Sequence, residues 1–124
     1  MKLATIIIRS LLGLAFVVFG ANILHPFLPM PPLPATLAGD FSRALMQSHY
    51  MYVVGALQLL GGLLLLVGRY VPLGLTLLGP VIVNILCYHL FLDPTGLPIA
   101  LIVSALALFL LYHHRSNFAG LVKP

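Results

Sequence analysis

Long apolar runs dominate the pattern of hydrophobic and polar positions in this chain. Four of them occupy residues 3–24, 50–68, 71–92 and 97–114. A helix rises ~1.5 Å per residue, so about 20 apolar residues in a helix match the hydrocarbon thickness of a bilayer. The pattern therefore predicts an all-α fold, a membrane four-helix bundle that forms a single transmembrane domain over residues 1–124.

The one long connection, residues 25–49, has two parts. Residues 25–34 contain five prolines in ten positions, and proline lacks an N–H and favours extended polyproline geometry. Beyond them, apolar side chains recur every four residues opposite a charged pair, at Leu37, Phe41 and Leu45 against Asp40 and Arg43. This spacing predicts a short amphipathic helix at the membrane interface. We expect the proline-rich segment to fold onto the outer mouth of the bundle as a lid.

Composition excludes a soluble domain, because 61% of residues are hydrophobic and 6% are charged, whereas globular proteins carry roughly a quarter charged residues. The net charge of +4 does not indicate nucleic-acid binding, since the six Lys and Arg residues stand singly at span ends. Five of them fall on one side of the predicted topology, namely Lys2, Arg9, Arg69, Arg115 and Lys123. The excess of basic residues on the inner side of membrane proteins then predicts that both termini are cytoplasmic.

The first apolar run also has features of a signal peptide, because Lys2 precedes it and the small residues Gly20 and Ala21 lie near its end. The run is longer than a usual signal-peptide core. We therefore expect an uncleaved first span.

Glycines recur at helical spacing in the first two spans, at Gly13 and Gly20 and again at Gly55 and Gly62. Lipid tails give no hydrophobic drive for helix association, so small residues mark the surfaces where helix backbones approach closely. We expect both stripes to face the interior of the bundle. Arg9 lies on the first stripe, and we expect its side chain to snorkel to the headgroups rather than turn inward.

Polar side chains at membrane depth give the candidate site. Gln58 and Asn84 lie deep in the second and third spans, while His89, Asn22 and His25 lie nearer the outer side. Such groups usually face a bundle interior or cavity, which predicts an outward-opening pocket for a polar head. A purely structural interpretation stays open, with the two amides bonded between helices, or to the carbonyl that Pro80 frees, and each histidine bonded to a carbonyl.

The residues give no self-sufficient catalytic centre. Cys87 is the only cysteine, and a quinone-linked disulfide mechanism needs two sulfurs in one site. His25, His49 and His89 lack the spacing and the accompanying carboxylates or thiols of a metal site, and no haem-attachment or phosphate-binding motif is present. We expect no catalytic residues and no metal.

Five segments carry a resemblance to a known family: residues 20–22, 29–32, 60–69, 79–86 and 89–94. Their order and spacing resemble the DoxX family of small bacterial integral membrane proteins along nearly the whole chain. The resemblance implies a four-helix bundle in the bacterial inner membrane, and some members are linked to thiosulfate:quinone oxidoreductase or other membrane redox complexes. Gly55 and Gln58 stand where many relatives carry Lys and Glu, so this chain lacks that ion pair.

These observations together predict an accessory subunit of a membrane redox complex that binds a small amphiphile, such as a quinone, in the outer half of the bundle. The expected partners are the lipid bilayer, a membrane or peripheral redox protein and further copies of the chain. The alternative is a non-enzymatic scaffold or assembly factor whose polar residues are structural. A transporter would need several copies of so short a chain to form a pathway.

Overall fold

The computed structural model describes residues 2–124, and within them it contains helices and turns but no strand, which confirms the all-α class. The helices are α1 (Lys2–Leu24), α2 (Leu37–Gln47), α3 (Tyr50–Val67), α4 (Val71–Phe91), α5 (Leu97–His113) and α6 (Arg115–Phe118). Short 3-10 turns occupy Pro94–Gly96 and Ala119–Val122.

Four helices are long and apolar enough to cross a membrane, and they correspond to the predicted spans: α1, α3, α4 and the segment Pro94–His113 that contains α5. Large apolar side chains cover their outer surfaces. Leu3, Val53 and Leu108 are 70%, 63% and 63% exposed. An exposed apolar surface on every span is what lipid tails would cover.

The four long helices form a closed ring in which α1 packs on α3, α3 on α4, α4 on α5 and α5 on α1. Each contributes one fully buried leucine to the core: Leu12, Leu65, Leu78 and Leu110. Successive helices run in opposite directions. We call the end with the amino terminus of α1 and the carboxyl terminus of α5 the terminal end, and the end with residues 25–49 the loop end.

Glycines set the close approach of α1 and α3, as their spacing predicted. A Cβ added to Gly13 would lie 2.8 Å from the Gly62 carbonyl oxygen, and a Cβ on Gly62 would lie 2.9 Å from the Gly13 oxygen. A Cβ on Gly20 would likewise lie 2.9 Å from the Gly55 oxygen. Real Cβ atoms do not approach backbone oxygens so closely, so glycine is required at the contact.

The side chain of Arg9 turns inward, and the prediction that it snorkels to the headgroups is wrong. Its guanidinium donates hydrogen bonds to the carbonyl oxygens of Leu65, at 2.6 Å, and Leu66, at 3.2 Å. Because α3 ends at Val67, these carbonyls have no later helical N–H to accept from, and a cation at a helix carboxyl terminus also interacts favourably with the helix dipole. Arg9 therefore ties α1 to the end of α3.

The predicted amphipathic segment forms α2. The hydroxyl of Thr36 accepts a hydrogen bond from the Gly39 N–H at 3.3 Å and caps its first turn. On the outer face Arg43 pairs with Asp40 at 3.0 Å. On the inner face the Phe41 ring contacts the Tyr88 ring of α4, with centroids 5.9 Å apart. Helix α2 therefore lies against the loop end of the bundle, and its depth in a membrane interface stays a prediction.

Histidine residues lie at the terminal end of the bundle. There the Oγ1 atom of Thr5 in α1 lies 3.5 Å from Nδ1 of His113 in α5. Burial, the neighbouring His113 and, less strongly, Arg9 lower the pKa of His114, while the neighbouring Asn117 side chain acts in the opposite direction. A lowered pKa in the folded state means that protonation opposes folding. The neutral His114 ring therefore contributes to stability above the usual histidine pKa, and this contribution is lost as the pH falls from there towards the lowered pKa of the folded state.

Candidate functional site

A cleft of about 830 Å³ opens between α2, α3 and α4 at the loop end. Its volume lies within the ~300 to 1,000 Å³ that is usual for small-molecule sites. We call it the loop-end groove. The residues that line it are Phe41, Ser42 and Leu45 of α2, Tyr50, Met51, Val53, Val54, Leu57 and Gln58 of α3, and Pro80, Val81, Asn84, Ile85, Tyr88 and His89 of α4.

Helical spacing places the polar residues of α4 along one wall of the groove. Pro80, Asn84 and Tyr88 follow one another at four-residue intervals and so share a face of the helix. On the opposite wall, Val54 and Gln58 of α3 stand at the same interval. Most of the remaining lining is aliphatic. The groove therefore combines an apolar interior with a few polar groups at fixed heights.

Gln58 is buried in the wall of the groove, with 6% of its surface exposed. Its Oε1 atom has no hydrogen-bond partner within residues 2–124. The structural interpretation expected a bond to Asn84 or to the Thr76 carbonyl, and neither bond is formed. An unsatisfied buried polar group costs about 1 to 3 kcal/mol. Oε1 is itself enclosed by protein, so the group that the Gln58 amide can offer to a ligand in the groove is its NH2 group.

Asn84 bonds within its own helix. Its Nδ2 donates to the Pro80 carbonyl oxygen at 2.8 Å, one turn earlier in the same helix. A carbonyl only accepts, so the atom beside it must be the NH2 group and the other must be the oxygen. That oxygen, Oδ1, has no partner in the described part of the chain.

His89 is held by its own carboxyl-terminal turn. Its Nδ1 lies 3.0 Å from the Asp93 carbonyl oxygen, and a Cβ on Gly96 would overlap the ring. In the neutral ring, Nδ1 must carry the proton that this carbonyl accepts, which leaves Nε2 as an acceptor. No other residue of the range 2–124 bonds to Nε2.

Asn22 and His25 lie apart from the groove and are not among its lining residues. Asn22 is buried, and its Oδ1 accepts hydrogen bonds from the backbone N–H groups of Phe27 and Leu28, both at 2.8 Å. The Asn22 side chain therefore fixes the chain where it leaves α1. His25 is exposed at that turn. The structure thus brings together three of the five candidate residues, Gln58, Asn84 and His89.

Helix α2 lines the groove and residues 25–34 do not, so a proline-rich lid over the outer mouth stays a prediction. The sequence analysis did not assign Phe41, Leu45 or Tyr88 to the site. The signal for Phe41 and Leu45 was the four-residue spacing of apolar positions in α2, which shows that one face of that helix needs a partner. Tyr88 stands four residues after Asn84 on the same face of α4. The sequence did not show that this partner is the cleft between α3 and α4.

We expect Asn22→Ala to loosen the chain after α1, because two backbone N–H groups lose their acceptor. Both lie near the surface and can bond to water, so the expected cost is about 1 kcal/mol. Hydrogen exchange at Phe27 and Leu28 should accelerate, while a matched His25→Ala variant should leave it unchanged. Equal exchange in the two variants would show that Asn22 does not fix this turn.

Among residues 2–124, no group of three or more His, Cys, Asp or Glu side chains is placed to hold a metal ion. Cys87 is a free thiol on the exposed surface of α4. The polar chemistry of the groove therefore consists of amide, imidazole and hydroxyl groups.

The fold and the groove together define a class of protein: a small helical bundle with four candidate membrane spans and a largely apolar cleft that contains an unpartnered amide. No protein-family model, curated protein or solved structure matches the chain.

Proposed function

We propose that this chain is a DoxX-like protein of the bacterial inner membrane that binds a small amphiphile, such as a quinone, in the loop-end groove and serves a membrane redox complex as an accessory subunit. The observation that carries the proposal is the Gln58 amide, buried without a partner for Oε1 in the wall of a cleft of about 830 Å³. The DoxX resemblance supports the redox setting.

The lining of the groove supports an amphiphilic ligand. Aliphatic side chains such as Leu57, Val81 and Ile85 offer contact to an apolar body, and Gln58 with Asn84 offers hydrogen bonds to a polar head. Sites for small molecules generally combine an apolar lining with a few polar groups that fix orientation. An electron donor and acceptor would come from the partner complex, because the groove residues are not redox-active.

The distribution of charge supports the proposed orientation. The terminal end holds Arg9 against α3, together with the Arg69 turn and Arg115, whereas Arg43 of α2 belongs to the loop end and is paired with Asp40. An excess of Lys and Arg marks the cytoplasmic side of membrane proteins. In this orientation both termini are cytoplasmic and the groove opens in the outer half of the membrane.

We expect Gln58→Leu to stabilise the ligand-free protein by about 1 to 2 kcal/mol, because it removes a buried amide oxygen that nothing satisfies. The same variant should lose binding of decylbenzoquinone in nanodiscs. Thermal unfolding in detergent and equilibrium binding measure the two effects. The matched control is Gln47→Leu, an exposed position at the end of α2, which should leave binding unchanged.

A scaffold function makes the opposite prediction. It is favoured by Asn22, whose Oδ1 accepts two hydrogen bonds inside the protein, and by the glycine contacts between α1 and α3. If the polar residues serve only the fold, Gln58→Leu should lower the melting temperature and the wild-type protein should bind no amphiphile. The sign of the stability change therefore separates the two functions.

A further inference from the structure

We propose that the loop-end groove selects amphiphiles whose polar head carries a hydroxyl group over amphiphiles whose head has only carbonyl or ether oxygens. The proposal rests on the proposed function, since it names the class of ligand for the same groove. It follows from the hydrogen-bonding groups that Gln58, Asn84 and His89 have left over once their bonds within the protein are formed.

Two of these residues present acceptors that cannot exchange roles with a donor. The NH2 group of Asn84 is fixed by one of its N–H bonds on the Pro80 carbonyl, which leaves Oδ1 as an acceptor beside the second N–H. The Nδ1–H of His89 is fixed on the Asp93 carbonyl, which leaves Nε2 of the neutral ring. An oxygen that only accepts gains nothing from either atom and leaves both unpaired beside it, at the cost of their desolvation.

Gln58 can serve either kind of partner, because its amide offers Oε1 and, on the accessible side, an NH2 group. In the present orientation Oε1 is the buried atom without a partner. A hydroxyl both donates and accepts, so it can donate to Asn84 Oδ1 or to His89 Nε2 and can also accept a bond from an NH2 group. A carbonyl or ether oxygen can use only the NH2 groups.

The acceptors stand at two heights in the groove. Asn84 and His89 are five residues apart on α4, which separates them by ~7.5 Å along the helix axis. His89 lies near the mouth beside Tyr88, and Asn84 lies deeper in the groove. One hydroxyl can therefore be held deep in the groove, and a second hydroxyl on the same head can be held near the mouth.

The test compares two probes that differ at one position, where a methyl group replaces the hydroxyl hydrogen. Tritiated para-decylphenol and its methyl ether, para-decylanisole, have the same tail and ring, and neither undergoes redox cycling under the assay conditions. Binding is measured to the full chain in nanodiscs, with empty nanodiscs subtracted to remove partition into lipid. We expect the phenol to bind about threefold to tenfold more tightly than the ether, because its single hydroxyl donates one hydrogen bond that the ether cannot.

Variants assign the preference to the groove. Asn84→Leu and His89→Phe each remove one acceptor, and at least one of them should bring the ratio of phenol to ether affinity close to one without weakening ether binding. The control Ser104→Ala lies outside the groove, because its hydroxyl bonds to the Ala100 carbonyl of α5, and it should keep the wild-type ratio. Circular dichroism confirms that each variant is folded.

The outcomes separate this inference from the proposed function. Saturable binding of both probes with equal affinity, or tighter binding of the ether, would overturn the hydroxyl preference while leaving an amphiphile site in place. A preference that neither Asn84→Leu nor His89→Phe reduces would also overturn it, since the phenol would then be recognised elsewhere. Absence of saturable binding of either probe and of decylbenzoquinone would overturn the proposed function itself.

Discussion

Gly62→Leu should destroy the packing of α1 on α3 and cost at least about 3 kcal/mol of unfolding free energy, the upper part of the range for overpacked cores. A Cβ at this position meets the Val17 backbone nitrogen at 2.8 Å and the Gly13 carbonyl oxygen at 2.9 Å. These are backbone atoms of a packed helix, so no rotamer change relieves the contact. The two helices must separate along their length.

Thermal unfolding of the purified protein in detergent measures this effect, and size-exclusion chromatography reports whether the bundle remains monodisperse. Gly79→Leu is the matched control, because it makes the same change inside a span where a Cβ meets nothing within 4 Å. Gly79→Leu should be tolerated, and leucine there also gains about 0.8 to 1 kcal/mol of helix propensity over glycine. Equal losses in the two variants would contradict the close approach at Gly62.

The coarse fold was predictable because the bilayer constrains it so strongly. Any apolar run of about 20 residues must satisfy its backbone internally, which leaves a helix as the form for a span in so short a chain. The glycine spacing then indicated which faces meet, and the contacts of Gly13 with Gly62 and of Gly20 with Gly55 confirm it. The spacing of residues was sufficient to predict the spans and the faces that meet, because each of these predictions depends on the sequence of one helix at a time.

The position of the Arg9 side chain depends on two helices, and the sequence analysis failed there. The depth of Arg9 along α1 alone favours the headgroups. Its actual partners, the Leu65 and Leu66 carbonyls, exist because α3 ends at Val67 just where α1 passes. The register of one helix against another is set by packing, and no local pattern in the sequence shows it.

The candidate site was predicted in composition but not in its hydrogen bonds. Polar residues of the third and fourth spans bond locally, because Thr76, Asn84 and Ser104 each donate to the carbonyl four residues earlier in their own helix. Such back-bonding competes with contacts between helices. The expected bond between Gln58 and Asn84 is not formed, and the Asn84 amide bonds to the Pro80 carbonyl instead.

Arg9→Met should be the second most damaging substitution, with an expected loss of about 2 to 4 kcal/mol, because two carbonyls at the end of α3 lose their donor and each unsatisfied group costs about 1 to 3 kcal/mol. Methionine keeps much of the length and apolar stem of arginine, so the loss reports the guanidinium. The readout is the melting temperature in detergent.

Arg69→Met serves as the control for Arg9→Met, since it removes an equal charge from the exposed turn between α3 and α4, where the side chain bonds to no described residue. It should change stability by less than about 0.5 kcal/mol, as is usual for exposed positions. If Arg9 instead reached the headgroups, the two variants would behave alike, and Arg9→Lys would restore full stability. With the carbonyls of Leu65 and Leu66 as its partners, Arg9→Lys should restore only part, because a single ammonium does not present the planar fork of donors that a guanidinium offers to two acceptors.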